Sequence, residues 1–312
     1  GTIALMVACK CLGISGEVIT TPFTFAATIH ALNWSGLKPV FCDINEESMA
    51  LDTSKIEAAI TPETSAIMAV HVYGIPCDVE KIQDIADKYK LKVIYDAAHS
   101  FQTEINGVGI GNFGDITMYS FHATKLFHTA EGGALTFKTN ELKTKADLLK
   151  NFGIKDEETV LMPGINGKMN EIQAAMGHAV LDIIETEREK RKVIFDTYIR
   201  CLKDVEGVKL MKINDNVKNS YQYFVIRIDK KEFGYSRDYV YENLKKYNVF
   251  ARKYFYPLCS NYDCYRYLPS ADPDNLPIAN KTSKEVLSLP FYGELTINDI
   301  ENICNIIKDM HT

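Results

Sequence analysis

No apolar stretch in this chain approaches the roughly 20 residues needed to cross a bilayer as a helix, so no helical membrane span is expected. Basic blocks and acidic tails are also lacking, and the net charge is −6. Nucleic acid and anionic membrane surfaces need clustered lysine and arginine, so neither is an expected partner. The eight cysteines, at positions 9, 11, 42, 77, 201, 259, 264 and 304, include no Cys-x-x-Cys pair. Most have apolar neighbours, which is the pattern of reduced core thiols in a cytoplasmic protein, and no metal site is expected. A Gly-x-Gly-x-x-Gly turn is missing as well: Gly107-Val108-Gly109-Ile110-Gly111 has the wrong spacing and no helix behind it. That argues against a nicotinamide-dependent Rossmann enzyme. There is no internal repeat, and the only loop rich in turn residues runs from Pro269 to Pro277.

What the chain does have is alternation. At 312 residues, with 46% hydrophobic and 24% charged residues, it is large enough for one large domain and a smaller one. Strands are predicted at Glu17–Thr20, Val40–Cys42, Ala66–His71, Lys92–Tyr95, Ile116–Tyr119 and Gly133–Phe137. Helices are predicted between several of them, at Ala26–Ser35, Asp52–Ile60 and Asp78–Lys90. Such alternation implies an α/β fold with a largely parallel sheet covered by helices on both faces. A long helix from Glu171 to about Tyr198 then bridges to a smaller C-terminal α/β domain, with a strand at Tyr223–Ile228 and helices at Ser236–Tyr247 and Ile297–Met310. The expected division is 1–190 and 191–312.

Two residues at strand ends point to specific chemistry. The β-type run Leu91–Tyr95 stops at Asp96, and Lys125 follows Ile116–Tyr119 in Ser120-Phe121-His122-Ala123-Thr124-Lys125, ahead of the Gly132-Gly133 pair. Open α/β sheets bind ligands at the carboxyl ends of their strands. A lysine amine that bonds to an aldehyde, with a carboxylate that keeps a pyridine nitrogen protonated, is what pyridoxal phosphate chemistry requires. A helix amino terminus would supply backbone N–H groups and a positive field for the phosphate, and Gly1-Thr2 lies at such a terminus.

Six segments carry a wider resemblance: Gly1–Leu5, Thr21–Thr28, Lys38–Ile44, Asp96-Ala97-Ala98-His99, Ser120–Lys125 and Asn166–Ala175. Through nearly its whole length the chain resembles the DegT/DnrJ/EryC1/StrS family of sugar-nucleotide aminotransferases, pyridoxal 5'-phosphate enzymes of the aspartate aminotransferase fold. Members of that family normally carry an amino-terminal segment before the point where this sequence starts, so such a segment is expected to be missing here.

The resemblance implies roles residue by residue. Lys125 would hold the cofactor covalently and move the substrate proton, and Asp96 would pair with the ring nitrogen. Phe25 would lie against the ring and His99 near its phenolic oxygen. Gly1, Thr2 and Ser120 would bind the phosphate, and Asn166 would reach the phosphate held by a neighbouring subunit. Two half-complete sites make a C2 homodimer the expected assembly. Where the family usually has arginine two residues after that asparagine, this chain has Lys168, which keeps the charge without the bidentate fork. His122 and His128 are expected to be structural, while Arg252, Lys253, Tyr254 and Tyr256 could meet a carboxylate or diphosphate or form a solvated turn. The implied reaction takes an amino group from glutamate to a nucleotide-linked keto sugar in amino-sugar biosynthesis, of the kind that feeds O-antigen or other polysaccharides. The lysine segment with Glu131-Gly132-Gly133 is similar to that of members acting at C4 of dTDP-4-keto-6-deoxyglucose. A dehydratase of the same fold would carry histidine in place of Lys125; a non-catalytic regulatory relative is the other alternative.

Overall fold

The computed structural model of the chain describes residues 1–311. The chain opens with α1 (Thr2–Leu12), which stops at Gly13, where φ is 65° and glycine is favoured. Next come β1 (Glu17–Thr20), α2 (Ala26–Trp34), β2 (Lys38–Phe41), α3 (Thr53–Ile56), β3 (Thr64–Val70), α4 (Val79–Tyr89) and β4 (Lys92–Asp96). Two short strands, β5 (Glu104–Ile105) and β6 (Val108–Gly109), precede β7 (Ile116–Ser120), β8 (Gly133–Phe137) and α5 (Asn140–Leu149). The long α6 (Glu171–Leu202) leads to β9 (Val208–Leu210), β10 (Val217–Lys218), β11 (Phe224–Ile228), α7 (Lys230–Phe233), α8 (Arg237–Lys246), α9 (Pro277–Glu285), β12 (Val286–Leu289) and α10 (Ile297–Lys308).

The main sheet has the order β2-β1-β3-β4-β7-β8. Its first five strands are parallel and β8 runs antiparallel to β7. Successive side chains of a strand point to opposite faces, and both faces here are covered. Ala66, Met68, Ile94, Ile116 and Met118 pack with α1, α2 and α5 on one face. Ile67, Ala69, Val93 and Tyr95 pack with Ile82, Ile85 and Ala86 of α4 on the other. This parity sends Asp96, two residues after Ile94, toward the α1 and α2 side.

A second sheet, ordered β12-β11-β9 and antiparallel, carries the second half of α6 together with α8 and α10. The proposed division at 190/191 falls inside α6, which continues unbroken through it. The two parts also share a core, in which Phe23, Phe41 and Tyr73 pack with Met211, Val225, Leu258 and Leu276. Asp43 adds a polar tie. Its buried carboxylate accepts from the backbone N–H of Ile278 (3.0 Å) and Ala279 (2.8 Å), capping α9 from 235 residues away, while Lys55 Nζ sits 2.9 Å from it.

Several boundaries differ from expectation. The helix predicted over Asp52–Ile60 is α3 followed by a 3-10 turn, Glu57–Ala59, with Ile60 already extended at φ −76° and ψ 129°. Gly107 serves a hairpin: Asn106 and Gly107 have φ of 51° and 77° and connect β5 to β6. Pro269–Pro277 contains two 3-10 turns and ends at the first residue of α9. Helices α5 and α9 and strand β12 were not predicted.

Candidate active site

The site forms where β4 and β7 end. Asp96 is the last residue of β4 and is 4% exposed. Its Oδ2 accepts from the Thr28 hydroxyl at 2.8 Å, and Oδ1 accepts from the Ala98 backbone N–H at 3.0 Å. Thr28 lies on α2, and its hydroxyl also pairs with that of Thr24 at 2.8 Å. Among the described residues no salt bridge to Asp96 forms. Burial therefore pushes its carboxyl above the usual range, while the Thr28 and Ala98 hydrogen bonds pull it back.

Lys125 sits in the loop between β7 and β8. The neck of that loop closes through Phe121 N–H to the Gly132 carbonyl and Thr129 N–H to the Phe121 carbonyl, both 3.0 Å. A Cβ on Gly132 would collide with the Thr129 hydroxyl, and one on Gly133 would stand 2.9 Å from the Tyr119 carbonyl oxygen. Leu126 and Phe127 are buried, with the Phe127 ring stacked on Phe101 at 4.5 Å, so apolar packing fixes the loop on both sides of the neck. The Lys125 ammonium lies 5.7 Å from the centroid of Tyr223. Burial lowers its pKa to about 8, against the opposing pull of Asp96.

His99 adds a polarity that the distances decide. Its Nδ1 accepts from the Tyr73 backbone N–H at 3.1 Å, so the proton of the neutral ring resides on Nε2. Burial holds its pKa well below the ordinary histidine value, and the Lys125 charge adds to this. The ring stacks on Phe255 (5.9 Å, 7°) and meets Tyr223 edge-on at 4.9 Å.

Gly1, Thr2, Phe25, Asp96, His99, Ser120 and Lys125 all line one cavity of about 240 Å³. The amino end of α1 closes against β7 so tightly that a Cβ on Gly1 would lie 3.0 Å from both Cβ and Oγ of Ser120. Gly1 caps α1 without a side-chain bond, so the free N–H groups of the first turn and the Ser120 hydroxyl converge there. Phe25 remains 59% exposed. Asn166 does not join this group. It lines an adjacent, more open cavity of about 620 Å³ that shares Gly1, Thr2 and Glu131 with the first. There Lys168 Nζ donates to Oδ1 of Asn166 and of Asn151, both at 2.9 Å.

Of the other expected residues, Tyr254 lines the Lys125 cavity. Lys253 is held by Asp238, the Tyr256 ring lies against the Arg237 guanidinium, and the Arg252 backbone bridges to Ser288. His122 lines the cavity, with Nδ1 paired to the Thr124 hydroxyl at 2.9 Å, whereas His128 does not. Thr24, Thr28, Tyr223 and Phe255, for which the sequence suggested no role, also line the cavity. The four-residue spacing of Thr24 and Thr28 was the one available signal, since it brings two hydroxyls together at a helix start. Tyr223 and Phe255 arrive from the distant C-terminal part and carry no local signal.

The chain is 49% identical over 309 residues to the dTDP-4-amino-4,6-dideoxy-D-glucose transaminase of Escherichia coli, covering 98% of this chain and 82% of that protein. It is 44% identical over 310 residues to the Shigella dysenteriae protein of the same name, covering 99% and 84%. The crystal structure of DesI, determined in the presence of its TDP-sugar product, superposes with a TM-score of 0.93 at 36% identity, covering 98% of this chain and 78% of that one. Residues 1–308 match one family throughout, and the chain belongs to the DegT/DnrJ/EryC1/StrS aminotransferase family.

Proposed function

We propose that this aminotransferase uses pyridoxal 5'-phosphate to move an amino group from glutamate to C4 of dTDP-4-keto-6-deoxyglucose. One observation carries the cofactor assignment. A buried carboxylate without a cationic partner shares a 240 Å³ cavity with a lysine whose pKa is lowered to about 8. The residues fit the group. Asp96 offers its remaining lone pairs to a protonated ring nitrogen, and the close approach of Gly1 to Ser120 forms a cradle for a phosphate at the amino end of α1. When bound, the cofactor supplies an electron sink for the carbon that loses its proton.

The chain's own residues do the rest. A pKa near 8 leaves about a tenth to a fifth of Lys125 neutral at physiological pH, far more than an ordinary lysine, so Lys125 can both attack an aldehyde and carry a proton between two carbons. Asp96 stays in place through Thr28 and Ala98 and would hold the ring nitrogen of a bound cofactor protonated. Neutral His99, whose Nδ1 is taken by Tyr73, would use its Nε2–H as a donor to the cofactor's phenolic oxygen. Phe25 presents an open aromatic face for the ring to rest on.

The nucleotide and the carbon aminated rest on the two transaminase relatives and on DesI. A homodimer is supported by two features. Asn166 lines the adjacent, more open cavity and not the Lys125 cavity of its own chain. Ile172 is 84% exposed, and Met176, Leu181 and Ile183 on the same half of α6 are exposed too, as are Phe152, Val160 and Leu161 just before it. Exposed apolar residues in such number mark an association surface. Among the described residues no helix is long and apolar enough to cross a membrane. All eight cysteines are free, which supports a reducing cytoplasmic setting.

Borohydride reduction of the cofactor-loaded protein tests the assignment. The label should map to Lys125, and glutamate should bleach the visible absorbance. Lys125→Ala should lose both the label and all transamination of dTDP-4-keto-6-deoxyglucose. A protein that takes up no cofactor would restore the non-catalytic alternative.

A further inference from the structure

The segment Asn219–Tyr223, immediately before β11, crosses from the C-terminal part of the chain to the lysine loop. Its contacts there are unusually systematic. Gln222 is 5% exposed, and its side-chain amide grips the two peptide groups that flank Lys125. Oε1 accepts from the Leu126 N–H at 2.6 Å, and Nε2 donates to the Thr124 carbonyl at 3.0 Å. Two residues earlier, the Ser220 hydroxyl donates to the His99 carbonyl at 2.7 Å. One residue later, the Tyr223 ring packs edge-on against His99 and lies 5.7 Å from the Lys125 ammonium. The segment is itself anchored: Arg188 on α6 donates through Nε and Nη2 to the Asn219 carbonyl at 3.2 and 3.1 Å. There is no slack behind it, since a Cβ on Gly74 would lie 2.5 Å from the Ser220 hydroxyl and 2.9 Å from the His99 carbonyl oxygen.

We propose that Gln222 is a positioning residue for Lys125, fixing the backbone on both sides of the lysine so that its amine is held at the reacting atoms. The inference rests on the assignment of Lys125 as the cofactor-bearing residue. A primary amide is the one neutral side-chain group that offers a donor and an acceptor side by side, as a peptide carbonyl and the second N–H after it demand. Both flanking groups belong to a loop between strands, where no ladder would satisfy them otherwise. Gln222 does not itself line the cavity, so its effect on the amine passes through the backbone of the loop. Geometry at a reacting centre is costly to lose: a displacement of about 1 Å can lower turnover about 100-fold.

The test compares cofactor-loaded wild type with Gln222→Met, which keeps length and apolar volume but loses both hydrogen bonds, and with Ser220→Ala, which cuts the neighbouring bond to His99. Three quantities are read: the pH midpoint of the visible absorbance of the lysine-linked cofactor, the split between kcat and KM for glutamate, and Tm. For Gln222→Met the midpoint should move by about 0.5 pH unit or more, with cofactor still bound. Its kcat should fall about 10- to 100-fold while KM for glutamate stays within about 2-fold. Ser220→Ala should leave the midpoint and kcat near wild type even where its Tm falls. Should Gln222→Met not fold, Gln222→Asn is read in its place, since its shorter arm cannot reach both peptide groups. A wild-type midpoint and kcat in the variant, or losses matched by Ser220→Ala at equal Tm, would overturn the clamp while leaving the lysine assignment intact. A wild type that forms no lysine-linked cofactor would overturn both.

Discussion

Replacing Lys125 with methionine keeps most of the side chain's length and apolar stem while deleting its charge. In the cofactor-free protein this should be stabilising. The drop from the ordinary lysine value of 10.5 to about 8 measures how much the folded site disfavours the ammonium, on the order of 3 kcal/mol. The sign follows from proton counting. Between pH 8 and 10.5 the unfolded chain binds more protons at this residue than the folded one, so wild-type stability rises with pH across that window. Below pH 8 both states are protonated and the whole penalty is present. Removing the ammonium also withdraws the charge that favours ionised Asp96, whose carboxyl burial already pushes up, so part of the gain is lost. A net gain of about 1–3 kcal/mol at pH 7 remains, declining toward zero near pH 10.5. Urea unfolding of both proteins without cofactor, at pH 7 and pH 10, reads this directly from the midpoints. A Lys125→Met protein that is less stable than wild type at pH 7, or a difference between the two that does not change with pH, would refute the reasoning. The active-site lysine would then not be held at the expense of stability.

Asp96→Asn should fold and retain Thr28 as a neighbour, yet lower kcat about 100- to 1,000-fold, because the charge opposite the ring nitrogen is gone; steady-state kinetics with glutamate check this. If the sites are shared across a C2 dimer, mixing Lys125→Ala with Asn166→Ala should restore activity to about a quarter of wild type after subunit exchange, whereas either alone stays inactive. Asp43→Ala should cost about 1–3 kcal/mol, read as a lower urea midpoint, since it leaves the first turn of α9 uncapped and Lys55 with only Asp52, 3.8 Å away, as a partner. The visible absorbance of bound cofactor should survive that substitution, because Asp43 lies outside the Lys125 cavity.

Much of the large domain was legible in the sequence because its physics is local. A parallel strand buried on both faces reads as an apolar run, and the expected strand Ala66–His71 overlaps β3 from Ala66 to Val70. Amphipathic α4 repeats its apolar positions at helical spacing and was predicted to within a residue at each end. Short or polar elements escaped. Helix α9 begins at a proline in a turn-rich stretch, and its first turn is capped by Asp43, a residue no local window contains. Strand β12 is four residues long and is defined by its pairing with β11.

The candidate site divides in the same way. Asp96 and Lys125 could be singled out as a pair within the surrounding motifs, since one closes a strand, the other follows one, and each has the functional group its chemistry needs. The sequence alone also determined the alternating architecture and, through its motifs, the family. Only the tertiary structure decided that Thr28 holds Asp96, that His99 is a donor through Nε2, that Asn166 stands apart from the cavity of its own chain, and that Gln222 grips the loop around Lys125 from 96 and 98 residues away. The reason is physical. Strand ends and most helix caps are written in neighbouring residues, whereas a hydrogen bond between distant segments, the Asp43 cap of α9 included, exists only once packing has brought a donor and an acceptor within about 3 Å.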